Sequence, residues 1–148
     1  YDDAENRLRR SNLLFFGITD ELGETWAQSE ERVVSFCSDK LDISIENHQI
    51  ERAHRLGRFE VGKNRPIIVK LTHFKDKSGI LLAGPKLKDT SFSIREDYSA
   101  KVRVARKKLF TYGQQNNASF KIRFDKLLIG KKVFTYNADT DSVVELKP

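Results

Sequence analysis

Residues 9–18 read RRSNLLFFGI, two arginines and a polar pair followed by an apolar run that ends in glycine and isoleucine. An apolar run that is closed by glycine and followed by the turn-forming TDELGET is typical of a buried or half-buried strand. Neighbouring side chains of a strand point to opposite faces of its sheet, so Phe15 and Phe16 must lie on different faces. We expect Phe15 to face outwards, where it could stack on a base. The alternative is that a second domain or a linker covers its ring.

The residues after this strand predict a helix, two strands, a second helix and a fourth strand. Thr25 can cap a helix that runs to about residue 41, and a stripe at helical spacing forms its core side. That stripe consists of Trp26, Ser29, Val33, Phe36 or Cys37, and Lys40 or Leu41. The stretch 48–57 predicts a strand that runs into a loop, and 65–71 predicts a third strand. Residues 74–83 predict a helix that Gly84 ends, and 91–97 a last strand. The order β-α-β-β-α-β over 12–97 indicates a ferredoxin-like domain, in which two helices cover one face of an antiparallel sheet.

The third predicted strand, RPIIVKL at 65–71, alternates in a way that assigns its faces. Ile67, Val69 and Leu71 should lie under the helices, which leaves Ile68 and Lys70 on the open face. A ferredoxin-like domain with basic residues suggests the RNA-recognition motif (RRM), whose central strands normally present aromatic rings for base stacking. The third strand has no aromatic residue, so stacking on rings from both central strands is excluded.

A second domain is predicted from residue 98 to residue 148. Ser99 can cap a helix whose core stripe is Val102, Ala105, Leu109 and Tyr112. SFKIRF at 119–124 then alternates strictly, and LLIG and KKVFTY follow on either side of a turn at residues 130–131. The predicted fold class is therefore α+β, with an RRM-like domain over 12–97 and a small helix-plus-antiparallel-sheet domain over 98–148.

Charge is unevenly placed along the 148 residues, whose formal net charge is +6. Residues 1–60 carry eight Lys/Arg against thirteen Asp/Glu, whereas residues 99–132 carry ten against one. Such a segment favours an anionic partner, for which RNA, DNA and acidic membrane all qualify. The sequence holds no glycine-rich phosphate loop and no Gly-x-Ser-x-Gly motif, and its one cysteine and three histidines lack the spacing of a zinc site. We therefore expect no catalytic residue, no metal and no cofactor, and no apolar run approaches the roughly 20 residues of a membrane span.

The helix after Ser99 carries its basic residues away from its apolar stripe. Arg106, Lys107 and Phe110 lie three, four and seven positions after Arg103 and so share one helix side with it. Arginine offers both a bidentate phosphate contact and a planar surface for bases, which suits a single strand. Lys108 and the outward side chains of the next strand, Lys121 and Arg123, are expected to add to this surface. The alternative is an ordinary solvated face of an amphipathic helix.

Four stretches in this order and spacing resemble a known family. They are RRSNLLFFGI (9–18), IERAHRLG (50–57), RPIIVKL (65–71) and REDYSAKVRVARKKL (95–109). Together they are similar to the nucleic-acid-binding protein encoded by the first open reading frame of LINE-type non-LTR retrotransposons. The ending FKIRFDKLLIGKKVFTY (120–136) is also similar to the C-terminal domain of that family.

The resemblance implies an atypical RRM and a C-terminal domain that together clamp single-stranded RNA or DNA, preceded by a trimerising coiled coil. Residues 1–11 would then be the end of that coiled coil. Members of the family coat their own transcript in cytoplasmic ribonucleoprotein particles, with the nucleus as a second compartment, and act as nucleic-acid chaperones during target-primed reverse transcription.

The family likeness also implies roles for particular basic residues. The paired basic positions of the family's helix motif fall on Arg106 and on Lys107, where lysine lacks the planar fork of arginine. Arg9 and Arg10 match the basic start of the first domain. Basic positions on or beside its second and third strands match Arg52, Arg55 and Arg65, and Lys70 lies on the open face of the third.

The resulting hypothesis is a sequence-tolerant binder of single-stranded nucleic acid without catalytic activity, whose affinity comes mainly from phosphate neutralisation between the two domains. One rival is a protein-interaction module, because ferredoxin-like domains often dock other proteins through their open sheet. A host RNA-binding protein unrelated to transposition is a second rival, and a nuclease is a third.

Overall fold

The computed structural model describes residues 9–116 and 119–147 of the chain. Residues 1–8, which carry most of the predicted coiled-coil end, lie outside the described residues. The described part is mixed α+β, with three α-helices and two four-stranded antiparallel sheets. The elements are β1 (Asn12–Phe16), α1 (Trp26–Leu41), β2 (Ile50–Arg55), β3 (Ile67–Leu71), α2 (Phe74–Ala83), β4 (Ser93–Glu96), α3 (Ala100–Gln115), β5 (Lys121–Arg123), β6 (Lys126–Ile129), β7 (Lys132–Asn137) and β8 (Ser142–Leu146).

The chain divides into two compact units. The first contains the described residues up to Asp97, and the second contains those from Tyr98 onwards. Within the described ranges, no helix is both long and apolar enough to pass through a bilayer.

The first unit is built on a sheet with the strand order β2-β3-β1-β4. Ile67, Val69 and Leu71 of β3 are buried in one hydrophobic cluster with side chains of α1 and α2. Ile68 and Lys70, on the other face of the same strand, remain half-buried. The predicted faces of the third strand are therefore confirmed, because period-two alternation assigned them correctly.

The prediction that Phe15 faces outwards is wrong. Phe15 is 1% exposed and pairs across the sheet with Ile67 and Ile94. Its ring packs edge-on against Phe36 of α1, with the centroids 5.7 Å apart. Phe16 is the outward residue, and the guanidinium of Arg95 lies 5.0 Å from the centre of its ring. Base stacking on Phe15 is excluded, since the ring fills the core.

Helix α1 begins with a capping box and buries most of the predicted stripe. The Thr25 hydroxyl accepts a hydrogen bond from the Gln28 N–H, and the Gln28 side chain accepts one from the Thr25 N–H. The buried residues are Ser29, Val33, Phe36, Cys37 and Leu41. Trp26 does not belong to that stripe, because 59% of it is exposed at the start of the helix.

The second unit packs α3 on a sheet with the strand order β5-β6-β7-β8. The Ser99 hydroxyl caps α3 by accepting a hydrogen bond from the Val102 N–H, and Leu109 is fully buried against Leu127 and Phe134. Gly113 is required in this helix, because a Cβ there would lie 2.8 Å from the ring of Phe120.

The sequence predicted α3 and the three strands after it but missed β8. The residues of β8 are mostly exposed, so burial gives them no clear apolar periodicity. The strand exists because it pairs along β7 from Val133 to Asn137.

Candidate nucleic-acid interface

Ion pairs divide the twelve predicted basic contact residues into two groups. Five are held by carboxylates, namely Arg9, Arg55, Arg65, Lys70 and Lys108. The other seven form no ion pair within residues 9–116 and 119–147, namely Arg10, Arg52, Arg103, Arg106, Lys107, Lys121 and Arg123. Only the second group keeps its charge uncompensated by a carboxylate contact.

Arg55 is a structural residue rather than a contact residue. It is 8% exposed, and its Nε donates to Glu24 Oε2 at 2.6 Å. Its Nη1 donates to the carbonyls of Ile18 and Arg65 at 2.8 and 2.6 Å. The expected contact of Arg55 with nucleic acid is therefore wrong, because all three guanidinium nitrogens already donate to protein acceptors.

The carboxylates around Arg55 are held in their charged form. Burial alone would raise the pKa of Asp20, but hydrogen bonds from the Arg65 side chain and from main-chain N–H groups, with the charge of Arg55, lower this pKa to about 2. Burial also opposes the ionisation of Glu24, while hydrogen bonds from Arg55 and Ser29 lower its pKa below the ordinary value. Arg65 lies 2.8 Å from Asp20 and is therefore also part of this internal network.

Arg9 and Lys70 are partly neutralised as well. Arg9 donates to Asp97 at 2.8 Å, and Lys70 lies 3.7 Å from Glu51. Sequence reasoning could not find these pairs, since the Asp97 contact spans 88 positions and the Glu51 contact depends on an irregularity of β2 between Ile50 and Arg52.

The open face of the first sheet is apolar in its centre and basic around it. Cross-strand pairing aligns His54, Ile68, Leu14 and Arg95 in one row across the four strands. The next row brings together Arg52, Lys70 and Asn12. Arg52 is exposed and carries no carboxylate partner in the described residues. Arg10 lies elsewhere in this unit, with its guanidinium 4.9 Å from the centre of the Phe74 ring.

Three cations of α3 form the strongest candidate surface, which we call the basic helix face (Arg103, Arg106 and Lys107). Arg103 and Lys107 are exposed and Arg106 is half-buried. The arginines donate to main-chain carbonyls, Arg103 to that of Tyr98 at 2.7 Å and Arg106 to that of Phe124 at 2.8 Å. Because these acceptors are neutral, the arginines are positioned without losing their net charge.

Aromatic rings adjoin the basic helix face. The guanidinium of Arg106 lies 4.6 Å from the centre of the Tyr98 ring, which contacts Phe124 edge-on at 6.0 Å. Phe124 is 44% exposed, and Phe110 is 48% exposed beside Phe120. The sequence indicated Phe110 by helical spacing but not Tyr98, which directly precedes the cap of α3, nor Phe124, which the hairpin after β5 brings to the helix.

Phe124 adopts an unusual backbone conformation. Its φ is 52°, in the left-handed region that bulky residues rarely enter. The residue connects β5 to β6, and Arg106 donates to its carbonyl. The fold therefore holds this ring in place at some cost in backbone strain, a feature that is frequent at functional sites.

The remaining predicted cations of the second unit do not join the basic helix face. Lys108 lies 3.1 Å from Asp141, whose pKa is lowered by a hydrogen bond from the Tyr136 hydroxyl and by Lys108 itself. Ile122 packs towards α3 in the core, so the alternating Lys121 and Arg123 point to the sheet face that α3 does not cover. The expectation that Lys121 and Arg123 add to the basic helix face is therefore wrong.

Two further features of the first unit were not predicted. Lys77 of α2 is 5% exposed, donates to the Arg10 carbonyl at 2.5 Å and lies 3.1 Å from Glu96. Trp26 and His54 form a stacked pair, with ring centroids 4.4 Å apart and planes inclined by 16°. Neither feature has a local sequence signal, because each joins residues far apart in the chain.

Comparison with protein-family models gives no match, and comparison with curated proteins gives none.

Proposed function

We propose that this protein binds single-stranded RNA and DNA, and that it is the nucleic-acid chaperone of a LINE-type retrotransposon, which coats the RNA of the element in a ribonucleoprotein particle. In this proposal the first unit is an RRM-like domain and the second unit is the C-terminal domain of the family. The observation that supports it most is the basic helix face, whose cations lack carboxylate partners in the described residues and adjoin exposed rings.

The chemistry of the basic helix face fits an unpaired strand. Arg103 and Arg106 present donors that match phosphate oxygens, and Lys107 adds a point charge. The exposed rings of Phe110 and Phe124 offer stacking surfaces of the kind that tolerate any base. A duplex hides its bases from such rings, so we expect single strands to bind more tightly than duplex.

The first unit contributes less charge than its sequence indicates. Arg55 and Arg65 serve the fold, and Arg9 and Lys70 have carboxylate partners. Of the predicted cations, Arg52 remains exposed beside the open face, and Arg95, which was not predicted, is exposed on the same face. The apolar centre of the open face is therefore better suited to contact bases than phosphates.

The binding test is fluorescence anisotropy with labelled single-stranded RNA, single-stranded DNA and duplex of equal length, at several salt concentrations. If about five cationic side chains meet phosphates, the slope of log K against log salt should be about −3.5 for single strands. A slope near zero, or equal binding of duplex, would contradict the proposal.

The variant that tests the basic helix face is Arg106→Ala with Lys107→Ala. We expect it to lose most of its affinity while its circular dichroism spectrum stays unchanged. Lys131→Ala with Lys132→Ala is the matched control, because it removes the same charge from exposed positions at the turn between β6 and β7. An equal loss in both variants would mean that only net charge matters, and unfolding of the first would mean that the helix residues are structural.

The assignment to a retrotransposon rests on the four sequence stretches rather than on the site. It implies self-association as a trimer through a coiled coil upstream of this chain. Many dispersed genomic copies of the coding sequence are expected for a mobile element, whereas a single copy would indicate a host RNA-binding protein.

A protein-interaction module is a second candidate, and the open face of the first sheet favours it. Leu14, Phe16 and Ile68 are apolar, half-buried residues on that face. A chain that binds none of the nucleic acids at low salt but captures a purified protein partner, with loss on Ile68→Glu, would support this candidate instead.

A further inference from the structure

Trp26 is placed as a binding residue would be, not as a core residue. It lies at the first helical position of α1, outside the buried stripe, with 59% of its surface exposed. Its indole stacks on the imidazole of His54 at 4.4 Å, so the orientation of the ring is fixed. With one ring face on His54 and most of the side chain in contact with solvent, a flat apolar surface is left open.

The position of His54 connects this stack to the open face of the first sheet. His54 pairs with Ile68 on that face, at the edge strand β2. Arg52, two residues earlier on the same strand, is exposed and faces the same way. The aromatic surface and the exposed Arg52, which has no carboxylate partner among the described residues, therefore lie at the same edge of the sheet.

We propose that the Trp26–His54 stack is a base-binding platform, on which one unpaired base of a single strand stacks against Trp26 while Arg52 contacts a neighbouring phosphate. This inference rests on the proposed function and deepens it, since it assigns to the first unit a stacking site outside the central strands β1 and β3.

The local charge favours a base over a phosphate at the ring itself. Glu30 lies four positions after Trp26 on α1 and so neighbours it on the helix surface, and Glu31 follows. These carboxylates repel a phosphate but not a neutral nucleobase. The backbone of a bound strand is therefore placed on the Arg52 side, with the base directed to the indole.

Tryptophan fluorescence tests the platform directly, because Trp26 is the single tryptophan of the chain. The full chain is titrated with unlabelled single-stranded oligouridine and with an oligonucleotide of equal length and charge whose sugars lack bases. We expect oligouridine to quench the emission strongly at saturation and the abasic strand to leave it nearly unchanged. Anisotropy of labelled strands measures total binding in parallel.

The substitutions separate stacking from general affinity. Trp26→Ala should weaken oligouridine binding about fivefold or more, and leave binding of the abasic strand unchanged, whereas Trp26→Phe should keep most of the affinity. Leu22→Ala is the matched control, since it removes another exposed apolar side chain of the same unit. His54→Ala should reduce the quenching, because the indole loses the ring that orients it.

The outcomes distinguish the platform from the function on which it rests. Binding with base-dependent quenching and a selective loss in Trp26→Ala supports the platform. Binding without quenching, or equal losses in Trp26→Ala and Leu22→Ala, overturns the platform and leaves single-strand binding intact. Absence of any binding at low salt overturns both.

Discussion

Arginine has opposite surroundings in the two units of this protein. In the first unit, Arg55 and Arg65 are surrounded by Asp20 and Glu24, two nearly inaccessible carboxylates. In the second unit, Arg103 and Arg106 donate to main-chain carbonyls and adjoin aromatic rings. Both settings order the guanidinium, but only the second leaves its charge available. The number of basic residues is therefore a poor guide to a nucleic-acid surface, and the identity of their acceptors is a better one.

The comparison also separates stability from function. A buried ion pair costs desolvation, so its value to the fold appears mainly when one partner is removed and the other is left charged. A half-exposed arginine that donates to a carbonyl has little effect on folding when it is lost. Arginine substitutions in the first unit should therefore lower its stability, whereas those in the second unit should lower the proposed affinity for nucleic acid.

The largest expected effect is that of Arg55→Leu on the first unit. Removing the guanidinium takes from Glu24 one of its two arginine partners and leaves the carbonyls of Ile18 and Arg65 without the Arg55 donor, which should lower the free energy of unfolding by about 3 to 5 kcal/mol. Urea denaturation followed by Trp26 fluorescence measures this unit alone, because it contains the single tryptophan. Arg52→Leu, an exposed change on the same strand, should cost less than about 0.5 kcal/mol. Equal losses of stability in Arg55→Leu and Arg52→Leu would contradict the structural role of Arg55.

A smaller effect is expected from pH on the same network. The pKa of Asp20 is about 2 in the folded protein against an ordinary value of 3.8, so the unfolded chain binds the proton more readily. The stabilisation is complete above pH 4 to 5 and is lost as pH falls towards 2, by about 2 kcal/mol. The lowered pKa of Glu24 acts in the same direction. Urea midpoints by Trp26 fluorescence at pH 5, 4, 3 and 2 give the curve, and Asp20→Asn should flatten it. A flat curve in the original chain would contradict the network.

The smallest expected effect is that of Arg106→Ala on the stability of the second unit. The substitution removes one hydrogen bond to a carbonyl and one cation–ring contact, together worth about 1 kcal/mol or less. Far-ultraviolet circular dichroism during urea denaturation measures it. A loss as large as that of Arg55→Leu would place Arg106 among the structural residues and weaken the proposed binding face.

Local periodicity in the sequence predicted most of the secondary structure correctly. The core stripe of α3 and the faces of β3 were predicted correctly, because the 3.6 and 2.0 residue periods are written in neighbouring residues. The face on which Phe15 lies was not, because Phe15 and Phe16 are the same residue type and only tertiary packing, such as that of Phe15 on Phe36, distinguishes them.

The candidate site was predicted less completely than the fold. Helical spacing grouped Arg103, Arg106 and Lys107, since these are local neighbours. It could not show that Arg55 meets Glu24, 31 positions away, or that Trp26 meets His54. Contacts between distant segments depend on the tertiary fold, and no alternation in the sequence encodes them.

For the proposed binding of a single strand, the left-handed turn at Phe124 has a consequence for the association rate. A ring that the folded chain already displays loses little conformational freedom when a partner arrives, so encounter need not wait for a loop to rearrange. Replacing this residue with glycine would relax the turn and set the main chain free to sample other shapes. The pairing of β5 with β6 and the hydrogen bond from Arg106 hold this strained turn, so in the proposed function the Phe124 ring stays exposed between successive encounters.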